Sequence, residues 1–132
     1  MGTHHGKPGL VAVPDGLISS QQIQQCPVGV VMNSDLTCGP SHTPRAPSDV
    51  LGHGMALLKS TDGVHWTLFR KLWPFGGMYT TMAALTTDAH GAALTFGVLF
   101  SAGSLSGASD ATGTIYYQNF TFSSSGIPND SE

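Results

Sequence analysis

Met55-Ala56-Leu57-Leu58-Lys59-Ser60, Thr61-Asp62-Gly63-Val64 and His65-Trp66-Thr67-Leu68-Phe69-Arg70 follow one another without interruption. The outer pieces are short, apolar-rich, β-compatible runs, and the Asp-Gly between them is a chain-reversal signal, so the stretch reads as a β-hairpin. Two further runs lie downstream, Tyr79 to Thr86 and Ala92 to Phe100, on either side of Thr87-Asp88-Ala89-His90-Gly91. Thr114 to Phe122 closes the series after a Gly/Ser/Ala loop. Upstream, Gly9 to Ser19 reads as strand, Pro-Asp-Gly turn, strand. Regularly spaced short strands without an amphipathic helix predict an all-β fold: a sandwich, a barrel or a propeller. Composition does not choose among the three.

The segment between Ser20 and Gly54 departs from this pattern. A glutamine-rich piece gives way to Cys26 to Met32, and then to Pro40, Pro44 and Pro47 among Ser, Thr, Gly and His. A long connection of that kind is read as an irregular insertion or loop. The expected organisation is therefore a hairpin over 1–19, the irregular segment over 20–54, the strand-rich part over 55–122 and a flexible tail over 123–132.

The length of 132 residues sets the expectation of one domain with room for a core. Charged residues are 10% of the chain and the formal net charge is −3, which argues against a nucleic-acid groove or a basic membrane surface. No apolar run reaches the roughly 18 residues that span a bilayer. Met1 to Lys7 lacks the charged and apolar regions of a signal peptide.

Cys26 and Cys38 are the only cysteines. They have no CxxC partner and no zinc-finger spacing, so a structural zinc is not expected. They either close a loop as one disulfide in an oxidising compartment or stay as two thiols. Asn119-Phe120-Thr121 and Asn129-Asp130-Ser131 are acceptor triplets for N-glycosylation in a secreted chain. Together these features lean weakly toward the secretory pathway, a lysosomal or an extracellular setting. His4-His5 is a terminal pair of the kind that binds metal adventitiously, while His42, His53, His65 and His90 stand singly in loops or turns. No metal and no cofactor is assigned.

Two motifs carry a family resemblance. Ser60-Thr61-Asp62-Gly63-Val64-His65-Trp66 is followed, thirteen residues beyond Trp66, by Tyr79 within Gly76-Gly77-Met78-Tyr79-Thr80-Thr81-Met82-Ala83-Ala84-Leu85. From about Met55 to Phe122 the chain resembles the closing blades of a sialidase. In that family the first segment is the Asp-box, with the pattern Ser-x-Asp-x-Gly-x-Thr-Trp, and this chain is one residue shorter between Asp62 and Trp66. The resemblance implies a partial six-bladed β-propeller, about two C-terminal blades with a long irregular loop. The box residues then have structural roles on the rim, Asp62 and Ser60 tying the loop and Trp66 covering the apolar face.

Tyr79 matches the family's catalytic nucleophile. Most retaining glycosidases use Asp or Glu there. The sialic acid anomeric carbon bears a carboxylate, which would repel an anionic nucleophile, and a neutral phenol avoids that repulsion. Phenol is a poor nucleophile at its free pKa of about 10, so a neighbouring carboxylate must act as base. The plain alternative is a half-buried aromatic starting a strand.

The family also has three arginines that clamp the substrate carboxylate, an Asp acid/base and a Glu that activates the Tyr. Two arginines, the Asp and the Glu would lie upstream of Met1, and the place of the third arginine reads Gly52-His53-Gly54-Met55. Arg45, seven residues earlier, is the candidate substitute for substrate binding, with a solvated loop position as its plain alternative. Where the family ends the strand after the nucleophile with an aromatic and a Glu, this chain has Phe100 and Ser101. The implied activity is retaining hydrolysis of terminal α-linked sialic acid from glycoconjugates, with the isolated chain inactive. The implied partners are a sialylated glycan and either the missing blades or further copies of the chain. A non-catalytic β-module that binds carbohydrate or protein is the competing reading.

Overall fold

The Asp-Gly hairpin is present as β3, His53–Ser60, paired antiparallel with β4, Thr67–Trp73, in a register that includes Lys59 opposite Thr67 and Leu58 opposite Leu68. The computed structural model describes residues 8–24, 26, 29–42, 53–73, 79–102 and 114–123. Within them β1, Gly9–Val13, and β2, Gly16–Gln24, precede this hairpin. The strands β5, Thr80–Thr87, β6, Ala93–Ala102, and β7, Thr114–Thr121, follow it. The fold is all-β, with two antiparallel sheets in the orders β1-β2-β3-β4 and β5-β6-β7. Both are meanders in which every strand pairs with its sequence neighbour. No helix among the described residues is long and apolar enough to cross a membrane.

Alternation along the strands sets the faces. In β1, Val11 and Val13 are buried while Leu10 and Ala12 are exposed. Val11, Val13, Ile18, Met55, Leu57 and Phe69 of the first sheet form one buried cluster with Ala93, Phe96, Val98 and Phe100 of the second. The sheets therefore pack face to face, β1 against β5 and β6, and β2 against β5. Phe96 lies at the centre, fully buried and stacked on Phe120 at a centroid distance of 5.6 Å.

The opposite face of the first sheet carries a second cluster. Ile23, Ala56, Leu58 and Leu68 are covered there by Cys26, Met32, Cys38, Leu36 and Trp66. Cys26 and Cys38 are joined in a disulfide, with a Cα–Cα distance of 5.7 Å. The loop they close is pinned to the sheet by Leu68 N–H donating to the Ser34 carbonyl at 2.7 Å. Part of the segment expected to be a bare irregular insertion is thus a stapled cover for one sheet face.

The strand boundaries differ from the sequence expectation around that segment. β2 continues through Gln24, past the hairpin boundary at Ser19, and pairs with β3 out to Gln24 opposite His53. The reason is its position. As an interior strand it is covered on both faces, so Ser19, Ser20, Gln21 and Gln22 are buried although polar. Gln21 Nε2 donates to Ser19 Oγ at 3.1 Å. Burial with hydrogen bonding, rather than apolar alternation, holds this part of the strand.

Candidate functional site

The loop between β3 and β4 is organised by two side chains. Ser60 Oγ accepts from Gly63 N–H at 2.7 Å and from Asp62 N–H at 3.3 Å, and it donates to Asp62 Oδ1 at 3.0 Å. Asp62 Oδ1 also accepts from the N–H groups of Val64 and His65, both at 2.8 Å, and Asp62 Oδ2 lies 2.7 Å from His65 Nδ1. The His65 ring and then the His65 and Val64 N–H groups hold the Asp62 carboxyl well below the usual carboxylate range. Gly63 takes the φ of 79° that the reversal needs. Trp66 leaves the loop half-buried against the cluster under the disulfide. Ser60 and Asp62 therefore act on the backbone of their own turn.

Tyr79 immediately precedes β5, and 58% of its surface is exposed. Its backbone is clamped at both polar groups by one residue: Tyr79 N–H donates to Ser101 Oγ at 3.1 Å, and Ser101 N–H donates to the Tyr79 carbonyl at 2.9 Å. Ser101 is itself buried. One residue further, Thr80 Oγ1 donates to Ser20 Oγ in the first sheet at 2.8 Å. A fixed backbone thus presents an exposed phenol.

The four described carboxylates are engaged elsewhere. Asp15 pairs with Lys59 at 2.9 Å, Asp62 caps its own loop, and Asp88 accepts from the N–H groups of His90 and Ala92. Asp35 accepts from the Thr37 hydroxyl and N–H and from His42, and the Thr37 hydroxyl leads in lowering its pKa. No carboxylate is bonded to the Tyr79 hydroxyl among the described residues. Arg45 lies outside the described residues, as do Gly76, Gly77 and Met78. No metal-ligating cluster of His, Cys, Asp or Glu occurs among the described residues.

Tyr79 and the Asp62 loop are separated along the strands: they flank different ends of β6, while in the first sheet Ser20, which holds Thr80, pairs with Leu57, three residues or about 10 Å of strand from Ser60. Lys59, next to Ser60, places its Nζ 5.3 Å from the centroid of Phe122, and Phe122 N–H donates to the Leu94 carbonyl near the start of β6. Tyr79 is bonded to Ser101 near the end of β6. The seven residue steps from Leu94 to Ser101 amount to about 23 Å of strand. Tyr79 was singled out in the sequence by the resemblance; its anchor Ser101, and Ser20, which holds the neighbouring Thr80, were not, because the two bonds span 22 and 60 residues of chain. No known protein family, curated protein or solved structure matches this chain.

Proposed function

We propose that this chain is a piece of a sialidase-like propeller, its four-stranded and three-stranded meanders being successive blades and Tyr79 the nucleophile of a retaining exo-α-sialidase site. The observation that carries the reading is the pairing of an exposed, backbone-clamped Tyr79 beside the end of β6 with a self-capped Ser60–Asp62 loop that lies apart from it, towards the start of β6. A nucleophile needs a fixed main chain and an accessible oxygen, and a rim motif needs to be remote from it. Four-stranded sheets are the usual propeller blade. On this reading the chain contributes the phenol, while the activating base, the acid/base and the carboxylate clamp come from outside the matched motifs. The 132 residues alone therefore give no turnover of 4-methylumbelliferyl sialoside.

A second reading, a non-catalytic carbohydrate-binding β-module, is favoured by the engagement of all four described carboxylates elsewhere. A glycan array separates the two. On the first reading the isolated chain lacks the clamp and retains no glycan, and any residual binding is confined to sialylated glycans and lost in Tyr79→Ala. Binding spread over unsialylated glycans, or unchanged in that variant, overturns it in favour of the second.

A further inference from the structure

Asn119-Phe120-Thr121 lies in β7, at the edge of the second sheet. Phe120 turns inward, stacking on Phe96 and packing against the shared core. Strand alternation then puts Asn119 and Thr121 on the outward face, and both are exposed. The β6 residue opposite Asn119 is Gly97, which has no side chain to obstruct it. The acceptor amide and the hydroxyl two residues on are displayed side by side on an open face.

Two further observations favour modification there. The Cys26–Cys38 disulfide fits an oxidising compartment, the one in which asparagine-linked sugars are added. Tyr117, two residues before Asn119 on the same face, lies over Gly97: a Cβ on that glycine would come within 2.5 Å of Tyr117 Oη and 2.7 Å of Cε1. With 54% of Tyr117 exposed, its outer ring face offers an apolar platform next to Asn119.

We propose that Asn119 carries an N-linked oligosaccharide on the open edge of the second sheet, with the first sugar packed on the Tyr117 ring. The bond forms between Asn119 Nδ2 and the anomeric carbon of a lipid-pyrophosphate-linked oligosaccharide; the lipid pyrophosphate leaves and one amide proton is released. The inference does not rest on the sialidase reading and competes with one part of it, since a sugar packed on Tyr117 occupies the face that a further blade would cover. Asn119 is four residues along β7 from Ile115, the partner of Ser101, so the sugar sits about 13 Å of strand away from the Tyr79 end. Edge strands of exposed sheets are open to pairing with other chains, and a bulky solvated group on β7 blocks that.

The test is the full chain directed into the secretory pathway of a eukaryotic cell, followed by intact-mass and peptide mass spectrometry before and after enzymatic deglycosylation. Expected is a glycan mass on the Asn119 peptide, abolished in Asn119→Gln and Thr121→Ala and retained in Thr121→Ser. An unmodified Asn119 peptide, or sugar only at Asn129, overturns the proposal. The packing is read by trimming the glycan to its first sugar or removing it. The remaining sugar should raise the melting temperature by about 2–6 °C in the unaltered chain and not in Tyr117→Thr. An equal gain in both removes the role of Tyr117.

Discussion

Thr80 and Ser20 join the two sheets through a buried hydroxyl–hydroxyl hydrogen bond of 2.8 Å, immediately beneath Tyr79. The backbones approach closely at this point. A Cβ on Gly9, the β1 partner of Ser20, would meet Ser20 Oγ at 2.5 Å, Met82 Cγ at 2.7 Å and Met82 N at 2.9 Å. Because one of those atoms belongs to the main chain, the clash cannot be relieved by a rotamer change alone. Gly9→Ala is expected to cost about 1–3 kcal/mol. Thr80→Val, which leaves the Ser20 hydroxyl without this donor, is expected to cost about 1–2 kcal/mol. Denaturant midpoints check both, and a neutral Gly9→Ala would show that the sheets do not meet there.

The β3–β4 loop and Tyr79 make a second set. Phe96→Ala removes the central buried ring and is expected to cost about 3–5 kcal/mol. Ser60→Ala removes the acceptor of the Gly63 and Asp62 N–H groups in an exposed turn and is expected to cost about 0.5–1.5 kcal/mol. Trp66→Ala falls between them, because Trp66 is only half-buried. Tyr79→Phe should be close to neutral, since its clamp to Ser101 uses main-chain atoms of Tyr79. The order Phe96, Trp66, Ser60, Tyr79 is the measurable outcome. Tyr79→Phe among the costly changes would identify it as a core residue and withdraw its candidacy as nucleophile.

Most strands were legible because they are half-buried and alternate, as Val11, Val13, Phe96, Val98 and Phe100 do. The latter half of β2 was not, because Ser20, Gln21 and Gln22 owe their burial to neighbours on both sides. Local polarity carries no trace of that. The pairing of Cys26 with Cys38 stayed open in the sequence, since spacing alone does not close a loop. The structure resolves it by docking Met32 and Leu36 on the Ile23, Leu58 and Leu68 face. In the candidate site, the Asp62 turn was readable from local spacing, whereas the Ser101 clamp depended on the meander bringing β5 beside β6.

Acid should weaken the loops capped by Asp62 and Asp35. Asp62 and Asp35 both have lowered folded-state pKa values, from the His65 ring and the Thr37 hydroxyl in first place. A depressed carboxyl contributes stability that is present above its unfolded value of about 3.9 and is lost as pH falls through the folded value. The contribution is thus constant from pH 7 to about 5 and declines below about 4. Both carboxylates are half-exposed, which keeps it modest and salt-sensitive. Asp62→Asn should lower stability at neutral pH and flatten the acid limb; an acid limb unchanged in that variant would remove Asp62 from this account.

Reducing the Cys26–Cys38 bond should release the cover over Ile23, Ala56, Leu58 and Leu68. The expected loss is about 2–4 kcal/mol, as for a short closed loop. Hydrogen exchange locates it: amides of β3 and β4 should gain exchange on reduction while those of β6 and β7 stay protected. Equal loosening of both sheets would mean that the loop is not a local cover.

The outward face of the second sheet sets the last expectation. Leu99 is 43% exposed, Ile115 65% and Tyr117 54%, and Leu99 stands directly opposite Tyr117 in the β6–β7 register. These side chains share one face beside the open β7 edge, a combination that favours association between copies. The unglycosylated chain is therefore expected to self-associate in sedimentation velocity experiments as its concentration rises. Leu99→Lys with Ile115→Lys should return it to a monomer by placing two charges on that face, and a sugar at Asn119 should act in the same direction by occupying the β7 edge. A sedimentation coefficient independent of concentration in the unglycosylated, unaltered chain would show that the face does not drive assembly, and would count against the incomplete-propeller reading that calls for a covering blade.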